Sequence, residues 1–287
     1  MVNVGLIGKI DSIESQAGSI RDFPGIHIAG KSSTGTLSKQ DGFRYSIPEL
    51  NRTDLIEKSD VLFFTKGSNP TPEILSDIIK RSKHIFLADF FYPTPEEFTE
   101  IEKLLMESNS VFQVQNPFLY NPVVQWTGTN FPLPAYFDLN FCSGPLEDNE
   151  IYIRLLMLPT GFLGANPSKF RHVSLMDADS GSGFTNFRLE YNDSSVFNFN
   201  LNFRACQTEF SLKAFSVKNT MSGNLLDGTL EFDNKPFQQQ KQNPKSEWTD
   251  FFNAVSGISP VRTGVSELAS VLKIFREISR KNNWTEI

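Results

Sequence analysis

The sequence predicts two successive α/β regions, the first built on a doubly wound parallel sheet and the second on antiparallel strands. Up to about Asn116, short apolar runs alternate with helix-type patterns, and strands that alternate with helices in this way are typical of parallel sheets. From about 184 to 235 the apolar residues recur at every second position, which indicates strands with one buried face. Helical spacing returns near the C-terminus.

Five apolar runs predict the strands of the parallel sheet: residues 4–7, 26–29, 61–65, 85–88 and 111–114. Helices with clear start signals lie between them. Thr71 followed by Pro72 supplies an N-cap and a proline at the first helical position. Thr94 and Glu97 form a capping box at the start of the next helix.

One strand of the second region shows the alternation most clearly. One side carries Phe197, Phe199, Leu201 and Phe203, and the other carries Asn198, Asn200, Asn202 and Arg204. The pattern predicts an antiparallel strand whose phenylalanines belong to the core. Residues 224–232 predict a strand pair that turns at Asp227-Gly228.

Four prolines between residues 117 and 136 predict a connector between the two regions. We therefore expect a first domain over 1–120 and a second over 121–287. Ser246 is the expected N-cap of a short helix, and a long amphipathic helix follows it. These last helices, residues 246–281, are expected to pack back on the first domain.

Composition excludes several classes of protein. The 287 residues carry 27 Lys and Arg against 33 Asp and Glu, a net charge of −6, which argues against a nucleic-acid partner. No apolar run reaches the roughly 18 residues that span a bilayer, so no membrane association is expected. The N-terminus lacks a secretory pattern, and a cytoplasmic protein is expected. Three His and two Cys predict neither a metal site nor a disulfide framework.

Residues 25–32 satisfy the phosphate-loop pattern G-x4-G-K-[ST]. A phosphate loop follows a strand and precedes a helix, so that backbone amides converge on the phosphates. Here the four middle residues are themselves the predicted strand, and turn-type residues follow them. The match is interpreted as a chance occurrence of a short pattern.

The order and spacing of four segments resemble the glucose–fructose oxidoreductase/inositol dehydrogenase (Gfo/Idh/MocA) family. The family typically begins V-G-x-I-G-x-G-x-x-G or A and later carries a P-G-V stretch, a D-x-V-to-K-H-V block and a Q-V-G-x-N-R-R-F-N-P segment. The similar segments here are Val4-Gly5-Leu6-Ile7-Gly8, Pro24-Gly25-Ile26, residues 59–87 and residues 113–122. The resemblance covers about 1–125 and, more loosely, 246–281.

This resemblance implies a Rossmann domain followed by an α+β domain with an open, mostly antiparallel sheet, whose outer face often makes a homo-oligomer contact. It implies NAD(P)-linked chemistry on a small molecule of the sugar or polyol class, or on a related carbonyl compound. The cofactor-binding positions that it implies are Gly8, Lys9, Ile10, Lys31, Ser32, Ser33 and Thr65. The acidic residue that binds a ribose hydroxyl in the family would fall near Ser33. Lys31, Ser32 and Ser33 could instead hold a 2′-phosphate, which favours NADP.

The sequence departs from the family at its functional positions. The second and third glycines of the turn fall on Ile10 and Ile13, whose side chains crowd a dinucleotide. Asp89 stands where the family has the lysine of its E-K-P motif. The D-x-x-x-H pair aligns with Glu147 and Ile151. Asp89 and Glu147 are therefore the candidate catalytic residues, although neither replaces both lost groups.

Three hypotheses follow. The first is a catalytically degraded family member that keeps the fold for ligand binding or assembly and binds NADP, NAD or no cofactor. The second is an active NADP-preferring oxidoreductase in which Asp89 and Glu147 have altered roles. The third is a different Rossmann-like binding or structural protein that resembles the family in fold alone.

Overall fold

A computed structural model describes residues 1–21, 23–34, 46–145, 150–177, 180–237 and 246–281. The described residues fall into two compact units. The first unit combines 1–116 with 246–269, and the second combines 117–237 with 270–281. Glu147 and residues 35–45, which follow the phosphate-loop pattern, lie outside the described residues.

The secondary structure of the described residues is as follows. The strands are β1 (Val2–Lys9), β2 (Ile26–Thr34), β3 (Val61–Phe64), β4 (His84–Leu87), β5 (Phe112–Val114), β6 (Tyr136–Cys142), β7 (Lys169–Asp177), β8 (Ser182–Glu190), β9 (Val196–Asn202), β10 (Glu209–Phe215), β11 (Thr220–Asn224), β12 (Leu230–Phe232) and β13 (Lys235–Pro236). The helices are α1 (Ile10–Arg21), α2 (Arg52–Lys58), α3 (Pro72–Lys80), α4 (Pro95–Ser108), α5 (Pro122–Asn130), α6 (Glu150–Leu156), α7 (Thr160–Leu163), α8 (Glu247–Val255) and α9 (Val265–Lys281).

The first unit contains a five-stranded sheet in the order β2-β1-β3-β4-β5, and every pair of neighbours is parallel. All four residues of β3 are buried, as expected for a strand covered on both faces. The predicted doubly wound sheet is confirmed. The Gly-Lys-Ser of the phosphate-loop pattern lies inside β2 rather than in a loop, which supports the interpretation of that pattern as a chance match.

The helix starts follow the predicted caps. Thr71 accepts a hydrogen bond from Ile74 N, and Pro72 is the first residue of α3. Thr94 and Glu97 form both hydrogen bonds of a capping box at α4. Ser246 accepts from the backbone N–H of the third residue of α8. Each cap satisfies an amide that the helix itself leaves without a partner.

The connector predicted over 117–136 is partly helical. A single 3₁₀ turn covers Pro117–Tyr120, and α5 follows it. Asn121 caps α5 by accepting a hydrogen bond from Val123 N, with Pro122 at the first helical position. Proline therefore starts a helix here rather than excluding one.

An aromatic cluster joins the first unit across its two chain segments. Phe63 of β3 and Phe86 of β4 have ring centroids 4.9 Å apart. Trp248 of α8 lies 4.6 Å from Phe86 and 5.1 Å from Phe63. Phe251 of the same helix is fully buried against both rings. The parallel sheet therefore depends on α8 to cover one face.

The second unit contains an eight-stranded sheet in the order β13-β12-β11-β10-β6-β9-β8-β7. All neighbours are antiparallel except β6 and β9, so the mostly antiparallel sheet is confirmed. Phe197 and Phe199 of β9 are fully buried, as their alternation predicts. Tyr152 of α6 and Phe162 of α7 contact phenylalanines of this inner face.

In the part of the chain that the structure describes, none of the helices combines the length and apolar character needed to cross a membrane.

His84 gives a test of the packing at the edge of β4. Its Nδ1 accepts a hydrogen bond from Val111 N at 3.0 Å, and burial is the main cause that lowers the pKa of His84, against an opposing effect of Asp60. Because protonation is harder in the folded state, this contribution to stability is present above the unfolded pKa of about 6.5 and is lost as pH falls through the folded pKa.

We expect the free energy of unfolding of the wild type to fall between about pH 7 and pH 5 more steeply than that of His84→Gln. Glutamine retains an acceptor but does not titrate in this range. Urea denaturation at a series of pH values measures both slopes, and equal slopes would contradict the assignment to His84.

Candidate functional site

The candidate site is the carboxyl edge of the parallel sheet. The chain runs from β1 to β2 on one side and then crosses to β3 on the other, so the strand order reverses beside β1. Ligands of doubly wound sheets bind outside the carboxyl ends of the strands at such a reversal. The ends of β1, β2, β3 and β4 carry all the described residues that the sequence assigned to cofactor or catalysis.

Gly8, near the end of β1, is closely packed. Its φ of +147° is one that side chains rarely adopt. A Cβ atom there would collide with Thr65 Oγ1 and would lie 2.9 Å from the carbonyl oxygen of Thr65. Thr65 is itself buried, and its hydroxyl donates to Ile7 O at 3.1 Å. The structure thus brings Gly8 and Thr65 together and fills the space beside the glycine with the threonine.

No turn separates β1 from α1 at Lys9. It is the last residue of β1, paired with Thr34 of β2, and α1 begins at Ile10. Its backbone N–H donates to Lys66 O at 3.0 Å. A dinucleotide turn needs free amides that point toward the pyrophosphate, whereas this amide is engaged by the neighbouring strand.

The first turns of α1 carry bulky and acidic residues where the resemblance expects glycines. Ile10 is buried, and Ile13 belongs to the hydrophobic core of the first unit. Asp11 lies in the first turn of the helix, where the helix dipole favours its negative charge. A bound pyrophosphate would meet like charge there.

A side-chain contact also crosses the end of β1. Thr34, the last residue of β2, donates through Oγ1 to the carbonyl oxygen of Gly67 at 3.3 Å. Gly67 lies in the loop after β3, and its φ is +77°. The ends of β2 and β3 are therefore linked over the strand that lies between them.

The end of β2 holds a carboxylate that the sequence did not indicate. Glu49 accepts from Ser33 N at 2.7 Å and from Ser33 Oγ at 3.0 and 2.9 Å. Lys31 Nζ lies 3.7 Å from the same carboxylate. Ser32 faces the opposite side of the strand because side chains alternate. Of the three predicted anion-binding residues, Lys31 and Ser33 lie together, and both contact the carboxylate of Glu49.

Asp89 follows β4 and is bound to the loop after β3. Its Oδ2 accepts from Ser68 N at 2.9 Å, from Ser68 Oγ at 3.1 Å and from Asn69 N at 3.2 Å. Asn69 has a φ of 48°, so this carboxylate stabilises a loop that contains an unfavourable backbone conformation. The geometry gives Asp89 a clear structural task at the position where the resemblance expects a lysine.

These residues do not fit a dinucleotide bound over a glycine turn. The amide of Lys9 is engaged, Thr65 fills the space beside Gly8, and Glu49 holds the donors of Ser33. Within the described ranges, His, Cys, Asp and Glu nowhere form a group of three that could hold a metal ion.

The outer face of the eight-stranded sheet is a second candidate surface, formed by the outward side chains of its strands. Asn186 Nδ2 donates to Asn198 Oδ1 at 3.0 Å and to Asn200 Oδ1 at 2.9 Å. Asn198 and Asn200 donate to Asp138 Oδ1 at 2.8 and 2.9 Å, and Asn200 also donates to Asn140 Oδ1 at 3.0 Å. The middle of this face is therefore a network of amides that satisfy one another.

Apolar side chains lie on the same face, on the edge strand β7 and at the end of β10. Leu175 is 72% exposed, Val173 59% and Phe215 44%. Nearby, Arg188 donates to Glu190 at 3.0 Å and is the main cause that lowers the pKa of that carboxyl. Exposed apolar residues grouped on one face are typical of interaction surfaces.

Together, the doubly wound sheet and the eight-stranded sheet define the two-domain fold of the Gfo/Idh/MocA dehydrogenases, with its NAD(P)-binding type of first domain. The comparisons with solved structures agree. UDP-N-acetylglucosamine 3-dehydrogenase GnnA from Acidithiobacillus ferrooxidans matches with a TM-score of 0.78 at 17% identity, over 96% of each chain. The dehydrogenase MviM from Clostridium difficile matches with a TM-score of 0.79 at 11% identity, over 98% of this chain and 99% of its own.

A dehydrogenase from Chromobacterium violaceum matches with a TM-score of 0.75 at 14% identity, over 98% of this chain and 94% of its own. No protein-family model matches the sequence, and no curated protein sequence matches it significantly. The resemblance predicted from four short segments is therefore confirmed as a likeness of fold.

The packing at Gly8 gives a direct test. Gly8→Ala would place a Cβ against Thr65, so we expect it to destabilise the protein by about 1–3 kcal/mol more than Gly25→Ala. Gly25 is the matched control, since its φ is also positive, at +82°, but nothing lies within 4 Å of its added Cβ. Thermal and urea denaturation measure the difference, and equal losses for the two variants would show that Thr65 does not fill this space.

Proposed function

We propose that this chain is a catalytically degraded relative of the dehydrogenases that share its fold, and that it acts in ligand binding or assembly rather than in hydride transfer. The proposal rests chiefly on Asp89, which stands where the resemblance places a lysine and which accepts three hydrogen bonds from Ser68 and Asn69. The occupied carboxyl edge of the sheet supports the same conclusion.

The chemistry explains why this exchange matters. Removing a hydride from an alcohol develops a carbonyl whose oxygen must be polarised, and the alcohol proton needs an acceptor. A lysine stabilises negative charge at that oxygen, whereas a carboxylate repels it. Asp89 Oδ2 is also bound to the β3–α3 loop, so moving it toward a substrate would release that loop.

The alternative, an active NADP-preferring oxidoreductase, needs the donors at the end of β2. Lys31 and Ser33 would have to bind a 2′-phosphate. Glu49 Oε1 already accepts a hydrogen bond from Ser33 N at 2.7 Å, and Glu49 Oε2 lies 3.7 Å from Lys31 Nζ. The charge of this carboxylate has the same sign as that of a phosphate. This arrangement favours the degraded form over the active one.

The ligand that we propose is a small molecule of the sugar or polyol class, as the resemblance implies. The proposed assembly is a homo-oligomer formed through the outer face of the eight-stranded sheet. Two observations support that face: its amides are half-buried within a single chain, and exposed apolar residues such as Leu175 and Phe215 lie beside them. A second copy would cover these apolar side chains.

The first experiment is a binding screen. We expect millimolar NADP⁺, NADPH, NAD⁺ and NADH to leave the thermal midpoint unchanged. Binding would be detected, because a ligand present at ~100 times its Kd stabilises the folded state by about 2.7 kcal/mol. A panel of sugars and polyols is measured in the same way and for turnover with each cofactor. A working dehydrogenase of the same fold, assayed in parallel, shows that a shift is detectable.

One combination of results would overturn the proposal: an upward shift with NADPH, and turnover of a sugar or polyol that Asp89→Ala abolishes. Asp89→Ala removes three hydrogen bonds from the β3–α3 loop and is expected to lower stability by about 1–3 kcal/mol. Stability is therefore measured beside activity for this variant.

The second experiment tests the oligomer. Ser211 of β10 lies on the outer face, on the strand that neighbours β6. We expect Ser211→Arg to shift the sedimentation coefficient toward that of a monomer, because a long charged side chain in the middle of the face obstructs a second copy and is costly to desolvate. Asn192→Arg, in an exposed turn, is the matched control and should leave the oligomer intact. A wild type that sediments as a monomer would refute this part of the proposal.

A further inference from the structure

Glu49 is held at the candidate site by polar contacts rather than by burial. Its side chain is 53% exposed, yet both of its oxygens are directed at donors on β2. Oε1 takes the backbone N–H of Ser33, and both oxygens lie within 3.0 Å of the Ser33 hydroxyl. Oε2 lies 3.7 Å from the largely buried Lys31 ammonium. Two donor groups and one cation thus converge on one carboxylate.

The backbone holds Glu49 in this position. Lys31 N donates to Pro48 O at 2.9 Å, and Leu50 N donates to Lys31 O at 2.8 Å. These two bonds form a parallel bridge between Lys31 and Glu49. Leu50 also packs against Gly30, where an added Cβ would lie 2.6 Å from Leu50 Cδ1. The carboxylate is therefore delivered by an added piece of strand at the edge of β2.

The geometry of these donors is that of an anion site. A backbone N–H, a hydroxyl and an ammonium are donors that can bind a phosphate, and the 2′-phosphate of NADP is bound near the end of β2 in a doubly wound sheet. In this chain the anion is already present and is covalently part of the protein.

We propose that Glu49 is an internal substitute for the ribose phosphate: it fills the anion site at the end of β2 and excludes phosphorylated ligands from it. A phosphate would have to displace a carboxylate that is held by its own backbone, and until displacement it would meet like charge. Removal of the carboxylate should expose a functional anion site beneath it, formed by Lys31 and Ser33.

This inference rests on the proposed function, because it explains the lack of NADP binding that the proposed function assumes. The two remain separable. The proposed function concerns turnover and cofactor binding by the wild type, whereas the inference concerns the difference that Glu49 makes.

The experiment compares the wild type with Glu49→Ala, using adenosine 2′-monophosphate and adenosine 5′-monophosphate as probes in isothermal titration calorimetry. The 2′-phosphate tests the end of β2, while the 5′-phosphate tests the end of β1 beside Lys9 and Thr65. We expect the wild type to show no saturable binding of either probe up to about 10 mM, and Glu49→Ala to gain about tenfold or more in affinity for the 2′-isomer. The 5′-isomer should gain much less.

Two further variants control the result. Glu57→Ala removes an exposed carboxylate of α2 that lies 3.9 Å from Arg81, the C-cap of α3, so it changes the net charge equally and should behave as the wild type. Glu49→Gln removes the charge but keeps an oxygen that accepts from Ser33, and we expect a smaller gain with the same preference for the 2′-isomer. It also serves if Glu49→Ala does not fold.

Inorganic phosphate gives an independent readout. It should raise the thermal midpoint of Glu49→Ala more than that of the wild type or Glu57→Ala. Equal affinity of the wild type and both Glu49 variants for adenosine 2′-monophosphate would overturn the inference, whether all of them bind it or none does. Turnover by the wild type would instead overturn the proposed function and leave the comparison of variants to decide the role of Glu49.

Discussion

The backbone pairing of β1 is the constraint on which the candidate site depends. This strand is hydrogen-bonded on both sides, to β2 as far as Lys9 and to the chain after β3 through Lys9 N and Lys66 O. Because α1 begins at the next residue, no glycine turn separates the strand from the helix. The close approach of Gly8 to Thr65 follows, since a strand paired to this length brings the two residues side by side. The glycine therefore permits the close packing of β1 against Thr65.

The fold was largely predictable because its signals are local. Caps such as Thr94 with Glu97 and alternations such as Phe197 to Phe203 act within a few residues, and the structure shows the elements that they predict. Proline was the exception. The four prolines between 117 and 136 predict a connector between the two regions, whereas Pro122 after Asn121 starts a helix. Asn121 followed by Pro122 is itself a helix-start signal, although the neighbouring prolines are typical of a connector.

The site was less predictable because its interactions join distant parts of the chain. Glu49 binds a serine 16 residues away, and Asp89 binds amides 20 and 21 residues away. No spacing rule connects such pairs before the strands are assembled. Register with the family identified Asp89 as a departure, yet it did not reveal what the carboxylate does instead. Local patterns therefore indicate which positions depart from the family pattern, and only the assembled sheet shows which contacts the residues at those positions make.

The order of segments in the first unit has a consequence for how the protein is made. Its core needs Phe251 and Phe252 beside Val4, Leu6 and Phe63, although about 130 residues of the second unit are synthesised between them. The N-terminal strands emerge from the ribosome first, and domains generally fold in that order. Here the parallel sheet must wait with one face uncovered until α8 appears. The sheet of the second unit lies in one continuous stretch of chain, but this unit also includes residues 270–281, so it too is completed only after α8 has been synthesised.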